Sequence, residues 1–217
     1  MMSAVAKKVA TKGADGDRPL GEQGERTRAK LLASARAVFR ERGYAAARVD
    51  DVTQKAGTSH GAFYLYFANK EDVLEALAGE TADEMYALAD DLGVIDDDEK
   101  AFDQLREWIA RFVDAYEHHA PVVNAWITAD SVDSRFDQLG REVLAQFSRR
   151  IAATIERAVA AGVRHPVEPR IAAVALVAML ERVCYFWVVR AGGGFKRDET
   201  IDTLATIWYE AIFGQRA

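Results

Sequence analysis

Residues 49–70 read VDDVTQKAGTSHGAFYLYFANK, and this stretch decides how the rest of the chain is understood. Val49, Val52 and Ala56 stand at i, i+3 and i+7, one apolar stripe on a short helix that stops at Gly57. Ser59 is placed to cap a second short helix, on which Phe63 and Phe67 fall at i and i+4. Two short helices joined through a glycine turn make a helix-turn-helix, the arrangement whose second helix can enter a major groove. Spacing alone is weak, because helical bundles contain similar turns. Composition sharpens it: Ser59, His60, Gly61, Ala62 and Tyr64 are small or hydrogen-bonding candidates for an outward face. Glycine inside a helix costs ~1 kcal/mol relative to alanine. Gly61 in return lets the backbone approach a phosphate or base edge closely.

Outward from this stretch the pattern stays helical. Leu31, Leu32, Ala35, Val38 and Phe39 form an apolar stripe on a helix that starts at Glu25 and ends at Gly43. Asn69 is a candidate N-cap for the next helix, with Glu71 and Asp72 in the first turn, where negative charge is favoured. That helix runs to about Leu92. The next starts in the acidic run Asp96–Glu99 and carries Phe102, Leu105, Ile109, Phe112 and Tyr116. A shorter helix follows Pro121, a long one spans Ser134 to Ala161, and Glu168-Pro169 opens another. The last runs from about Asp198 to Phe213. No stretch alternates long enough to argue for a sheet, so the expected fold is all-α. Residues 1–24 lack apolar periodicity and are expected to be a disordered basic arm; without an apolar run they do not read as a signal peptide.

Charge divides the chain unevenly. Of 217 residues, 28 are Lys or Arg and 34 Asp or Glu, a net charge of −6. Residues 1–70 hold 13 basic and 7 acidic residues, net +6, and the remainder 15 and 27, net −12. Such asymmetry is a hint of a nucleic-acid-binding end, with solvated helix faces as the bland alternative. The single cysteine, Cys184, excludes an intramolecular disulfide framework and a cysteine-based zinc site, and suits a reducing compartment. Catalytic fingerprints such as a P-loop, GxSxG, HExxH or GxGxxG do not occur, and an enzyme is not expected.

ERTRAKLLASARAVFRERGYAAARVDDVTQKAGTSHGAFYLYFANKEDVLEAL, residues 25–77, resembles the DNA-binding domain of the TetR family of bacterial one-component repressors. The matching features are Leu31-Leu32, Ala35 and Phe39, Gly43-Tyr44, Val49 and Val52, Ala56-Gly57-Thr58-Ser59, and Gly61-Ala62-Phe63-Tyr64 with Tyr66-Phe67 and Lys70. The resemblance implies a helix-turn-helix domain over 25–70 joined to a helical ligand-binding and dimerisation domain over 71–217. It implies that Thr58, Ser59 and His60 open the recognition helix with hydroxyls for phosphates and an imidazole for a base edge or phosphate. Gly61, Ala62 and Tyr64 then face the groove, and Lys70 and Arg48 meet backbone phosphates. Two features depart from the family. Ala46-Ala47 supply no hydroxyl before the first helix of the pair, and His60 stands where lysine is frequent, so its charge depends on protonation.

A reader of this type works as a dimer on half-sites ~34–36 Å apart. The resemblance implies a homodimer through the last two long helices, about 169–190 and 198–213. The first of these holds IAAVALVAMLERVCYFWVV, Ile171 to Val189, apolar nearly all round. Glu181 and Arg182 interrupt it before either flank reaches ~18 apolar residues, so a membrane span is not expected. It is expected at the centre of the core or shared with a partner subunit. Trp108, Phe112, Tyr116, Trp126, Phe147, Met179, Tyr185, Phe186 and Trp187 are also candidates to line a cavity for an apolar or amphipathic effector, against the plain alternative of a packed core. Glu181 and Arg182 are its candidate polar groups, or an intersubunit ion pair. The adjacent His118-His119 do not face one way on a helix, so neither metal nor cofactor is expected. The expected function is a cytoplasmic, ligand-responsive repressor of a palindromic operator. A helical carrier or enzyme for a lipid-like molecule is the alternative.

Overall fold

The computed structural model describes residues 21–92, 100–128, 134–162, 168–190 and 194–214, without the side chains of 126–128 and 134–137. Every regular element among the described residues is helical: α1 Glu22–Arg42, α2 Val49–Ala56, α3 His60–Tyr64, α4 Lys70–Leu92, α5 Ala101–Thr128, α6 Ser134–Ala160, α7 Pro169–Cys184 and α8 Arg197–Phe213. A π-helical turn, Tyr185–Val189, follows α7. The chain divides into two compact units, Met1–Asp83 with His119–Phe136, and Glu84–His118 with Asp137–Ala217.

In the first unit, the stripe read from the sequence is the core. Leu31, Ala35, Ala56 and Phe63 are fully buried, with Val38, Phe39, Val52 and Phe67 almost so. Burying one such side chain contributes roughly 1.5–3 kcal/mol, which stabilises helices too short to persist alone. α1 begins at Glu22, ahead of Glu25, because Gly24 and Glu25 donate their N–H groups to the Gly21 carbonyl and start the ladder earlier. Deeper in the unit, the Thr81 hydroxyl donates to Leu77 O at 2.8 Å. Its lone pairs therefore face the buried His119, whose Nδ1 lies 2.9 Å away.

The second unit is organised by aromatic rings. Trp108 and Trp208 are fully buried, with centroids 5.4 Å apart. Phe147 packs edge-on against Trp108 at 6.1 Å and Phe112 at 5.7 Å. The Trp108 indole N–H donates to Leu88 O at 2.8 Å, so this ring is both buried and hydrogen-bonded. α7 opens as its sequence suggests: Pro169 occupies the first turn and the Glu168 carboxylate accepts the Ile171 N–H at 2.8 Å.

Three expectations need correction. Pro121 does not start a helix; it lies inside α5. Proline in a helix interior sacrifices a backbone hydrogen bond and costs ~3 kcal/mol. Pro121 is itself buried, and Val113 and Tyr116 before it and Val122 and Ala125 after it are buried too, so continuous packing outweighs the local defect. The recognition helix ends at Tyr64, leaving Phe67 beyond it although still core. The segment 169–189 is not covered all round. Ala173, Leu176, Val177, Leu180 and Cys184 are buried, whereas Ile171 is 71% exposed, Val174 57% and Phe186 58%. The expected helix start at Asp96–Glu99 lies outside the described residues; α5 is seen from Ala101.

Replacing Trp108 with alanine removes the ring that joins three others and is expected to cost about 3–5 kcal/mol. Urea unfolding at fixed protein concentration measures this; a loss below 1 kcal/mol would show that the cluster is not the core of its unit.

Candidate nucleic-acid interface

The helix-turn-helix is built from α2, a turn at Gly57, and α3. The missing hydroxyl at 46–47 is made good from inside α2: the Asp51 carboxylate accepts the Arg48 backbone N–H at 3.0 Å. This is the return half of a capping box, with the acid three residues into the helix. Asp51 also pairs with Arg42 at 3.1 Å, tying the end of α1 to the start of α2. Gly57 is left-handed (φ 58°, ψ 42°), a conformation that glycine adopts without steric cost. The Thr58 N–H then donates to Thr53 O at 3.0 Å, and the Ser59 Oγ accepts the Ala62 N–H at 3.1 Å, starting α3.

One buried ring sets the orientation of α3. Phe63 is fully buried, and its neighbour Tyr64 is 49% exposed with its ring edge-on at 5.4 Å. Ser59, His60 and Gly61 are exposed and Ala62 half-buried. Among the described residues a Cβ on Gly61 would meet only Ser59 Oγ, at 3.8 Å, and its backbone needs no special torsion, so none of them requires glycine there. Ser59, His60, Gly61 and Tyr64 are thus exposed and Ala62 half-buried along one short segment, with Arg48 exposed at the start of α2. His60 Nε2 lies 2.5 Å from Asp50 Oδ1, so a carboxylate already faces the imidazole.

Two expected contacts are placed differently. The Thr58 hydroxyl is buried with no hydrogen-bond partner among the described residues, so it is not presented to solvent. The Lys70 ammonium is engaged internally, donating to Tyr44 O at 3.1 Å and to Ala45 O and Ala47 O at 3.4 Å. The Tyr44 hydroxyl donates to Glu71 Oε1 at 3.2 Å. Burial, and then the Glu71 charge, push that phenol well above its ordinary range, so it remains a donor. Leu65, just after α3, is 67% exposed.

The effector candidates separate into groups. Trp108, Phe112, Tyr116 and Phe147 form one buried cluster. Trp208 completes it and was missed, because α8 was read mainly as an intersubunit helix. Its place in the buried series Ile201, Leu204, Ala205, Trp208 and Ile212 was the available signal. The Trp208 indole N–H is buried with no hydrogen-bond partner among the described residues. Met179, Tyr185 and Trp187 are half-buried, and the exposed Phe186 is not in the cluster. The Trp126 side chain lies outside the described residues. Glu181 accepts a hydrogen bond from the Tyr116 hydroxyl at 3.3 Å, while Arg182 lies 3.9 Å from Glu181 and over the Tyr185 ring at 5.2 Å. Burial, aided by Glu181 and Glu117, pushes the Cys184 thiol up to about 12, so it stays protonated and unreactive at neutral pH. His118 is exposed and His119 buried against Thr81, so the two rings occupy different surroundings.

Residues 31–77 match the family model for bacterial regulatory proteins of the tetR family, and residues 105–214 that for the C-terminal domain of the transcriptional regulator EthR. EthR of Mycobacterium tuberculosis is 26% identical over 98% of both chains. The transcriptional repressor KstR2 of Mycobacterium tuberculosis is 33% identical over 103 residues, 48% of this chain. That match spans only 50% of KstR2. Among solved structures, the SmeT–triclosan complex shares the fold with a TM-score of 0.66 at 23% identity, over 86% of this chain and 91% of that one. The chain belongs to the TetR family of bacterial transcriptional regulators.

The Ser59 cap is a local prediction of this geometry. Ser59→Ala leaves the Ala62 N–H without its acceptor and is expected to lower stability by about 1 kcal/mol, read as a drop in the thermal midpoint. An unchanged midpoint would mean that the hydroxyl does not cap α3 in solution.

Proposed function

We propose that this chain is a cytoplasmic, homodimeric repressor that reads a palindromic operator through α3 and releases it when a small apolar or amphipathic effector binds. The observation that carries the DNA reading is the division of α3. Phe63 is committed to the core, so Ser59, His60, Gly61, Ala62 and Tyr64 are left as a small, polar face to meet the groove. The Ala62 methyl suits a thymine methyl, Tyr64 and Ser59 suit base edges or phosphates, and exposed Arg48 suits a phosphate. KstR2 is a repressor by name, which supports the sign of regulation.

Dimerisation explains the uncovered side of α7. Ile171 and Val174 lie along one helical stripe, with Phe186 exposed beyond it and Ile207 41% exposed on α8. An isologous partner would bury such a stripe against its own copy and place two recognition helices on the two-fold operator. For the effector, the aromatic cluster around Trp108 supplies a mostly apolar surface, and Glu181 with Tyr116 a few polar groups. SmeT, a fold neighbour, is known bound to triclosan, which fits this class of ligand. Release of DNA follows if the effector favours the form whose recognition helices match the half-sites poorly.

The test uses duplexes selected from a random-sequence pool by the wild-type protein. Affinity is expected to fall steeply and linearly on a log–log plot against salt, as phosphate neutralisation demands. Tyr64→Ala is expected to weaken binding by roughly 1–3 kcal/mol, with an unchanged thermal midpoint. Full binding by this variant would remove α3 as the reading helix. For the dimer, Val174→Glu places a charge in the proposed interface and is expected to convert the species in sedimentation velocity from dimer to monomer at micromolar concentration. A persistent dimer would put the interface elsewhere.

A further inference from the structure

We infer that Asp50 and His60 act as one base-reading unit that presents only hydrogen-bond acceptors, and that it reads the exocyclic amino group of a cytosine or adenine in each half-site; this rests on the DNA-binding reading above. Asp50 lies in the first turn of α2 and His60 opens α3. His60 Nε2 stands 2.5 Å from Asp50 Oδ1. The side chains are 54% and 72% exposed for His60 and Asp50, so the pair lies on the surface of the helix-turn-helix.

The pairing sorts donors from acceptors. An ionised carboxylate only accepts, so the ring nitrogen that faces it carries the proton and donates. In a neutral imidazole that proton is the only one on nitrogen, and here it is spent on Asp50. The unit then has left the Nδ1 lone pair and the second carboxylate oxygen, and both are acceptors. Whichever of the two reaches a base edge, the demand on the base is the same. In the major groove cytosine offers its N4 amino group and adenine its N6 amino group, whereas guanine offers N7 and O6, two acceptors that would face acceptors. A phosphate is refused too, since the carboxylate repels its charge.

The local structure leaves both residues available for this. Acids are favoured in a first helical turn, and α2 has two, Asp50 and Asp51. Asp51 serves the fold: one of its oxygens accepts the Arg48 N–H and the other pairs with Arg42. Asp50 is spared that duty, and its carboxylate meets α3 instead. His60 is spared as well, because the Ser59 hydroxyl caps α3. The imidazole stands beside the Tyr64 ring, with centroids 6.3 Å apart, so the unit adjoins a residue already proposed to meet the duplex. Exposed pairs contribute little to stability, so removing this one changes the reading without unfolding the domain.

The experiment selects duplexes from a random-sequence pool with wild type and with Asp50→Ala, at about pH 8, above the range in which imidazoles change charge. Asp50→Ala is expected to relax the preference at one base pair of each half-site and to keep the rest of the motif. That pair is then altered chemically: its cytosine or adenine is replaced by the analogue without the amino group, or its purine by the 7-deaza form without N7. Loss of the amino group is expected to weaken wild type about tenfold and Asp50→Ala less than about twofold. Loss of N7 is expected to leave wild type unchanged. Dependence of wild type on N7 instead of the amino group would overturn the inference, and so would a motif that Asp50→Ala leaves intact. Should Asp50→Ala not fold, amino-deleted analogues at each position in turn still test wild type alone, and no loss at any position would overturn the inference. A wild type that enriches no sequence would defeat the DNA-binding reading and this inference with it, whereas a clear motif indifferent to Asp50 defeats the inference alone.

Discussion

The burial of one phenylalanine ring is the constraint on which the proposed reading face depends. α3 spans His60–Tyr64, too short to hold its own orientation by backbone hydrogen bonds. Phe63 supplies what the backbone does not. With its ring fully buried among the side chains of the first unit, the azimuth of the helix is set, and successive side chains are turned ~100° from it. Tyr64 has no inward option. Gly61, two residues before the ring, is turned ~160° from it and is exposed by the same rotation, whereas Ser59 and His60 are exposed as the cap and the first residue of α3.

Short helices also need their ends satisfied, and this chain does so with side chains placed three residues from the groups they serve. Asp51 accepts from Arg48, Ser59 from Ala62, Asn69 from Asp72 at 2.8 Å, and Glu168 from Ile171. Asn69 and Asp72 form a nearly reciprocal pair, since Asp72 also accepts the Ala68 N–H at 2.9 Å. Each cap contributes about 1 kcal/mol. The sum matters most in the first unit, where α2 and α3 have few turns over which to share it. The order of the reading head therefore comes from a ring in the core and from caps at the rims, and of the outward residues Ser59 serves as one of those caps.

Much of this was legible in residues 25–70 because each signal there is local. Apolar spacing, a glycine stop and a hydroxyl cap act within four residues of one another, and the same signals place α7 and α8. The misreadings arise where a distant partner decides. Pro121 looked like a boundary because the rule for proline concerns its own turn, whereas burial on both sides of it keeps α5 continuous. The internal partners of Lys70 are not legible in its own turn, because the three carbonyls lie more than twenty positions away along the chain. Trp208 was passed over although it carries the right period, because one helix was assigned one task. The asymmetry of the segment 169–189, buried on one side and exposed on the other, is invisible to composition, since its residues are apolar on both.

The charge division of the chain takes on a different meaning once the partners are known. Residues 1–70 carry a net +6, yet part of that charge is committed before DNA arrives. Arg36 pairs with Glu80 at 2.9 Å, Arg42 with Asp51 at 3.1 Å and Lys55 with Glu41 at 2.5 Å. Exposed pairs contribute only ~0–1 kcal/mol, so Lys55 can exchange Glu41 for a phosphate at little cost. Arg42, 58% exposed, pairs with the carboxylate whose other oxygen caps α2. Arg36, whose side chain is only 14% exposed, has no path to a phosphate without leaving its pocket. The positive charge that reaches the duplex is thus set by caps and burial, and a count of lysines and arginines overstates it.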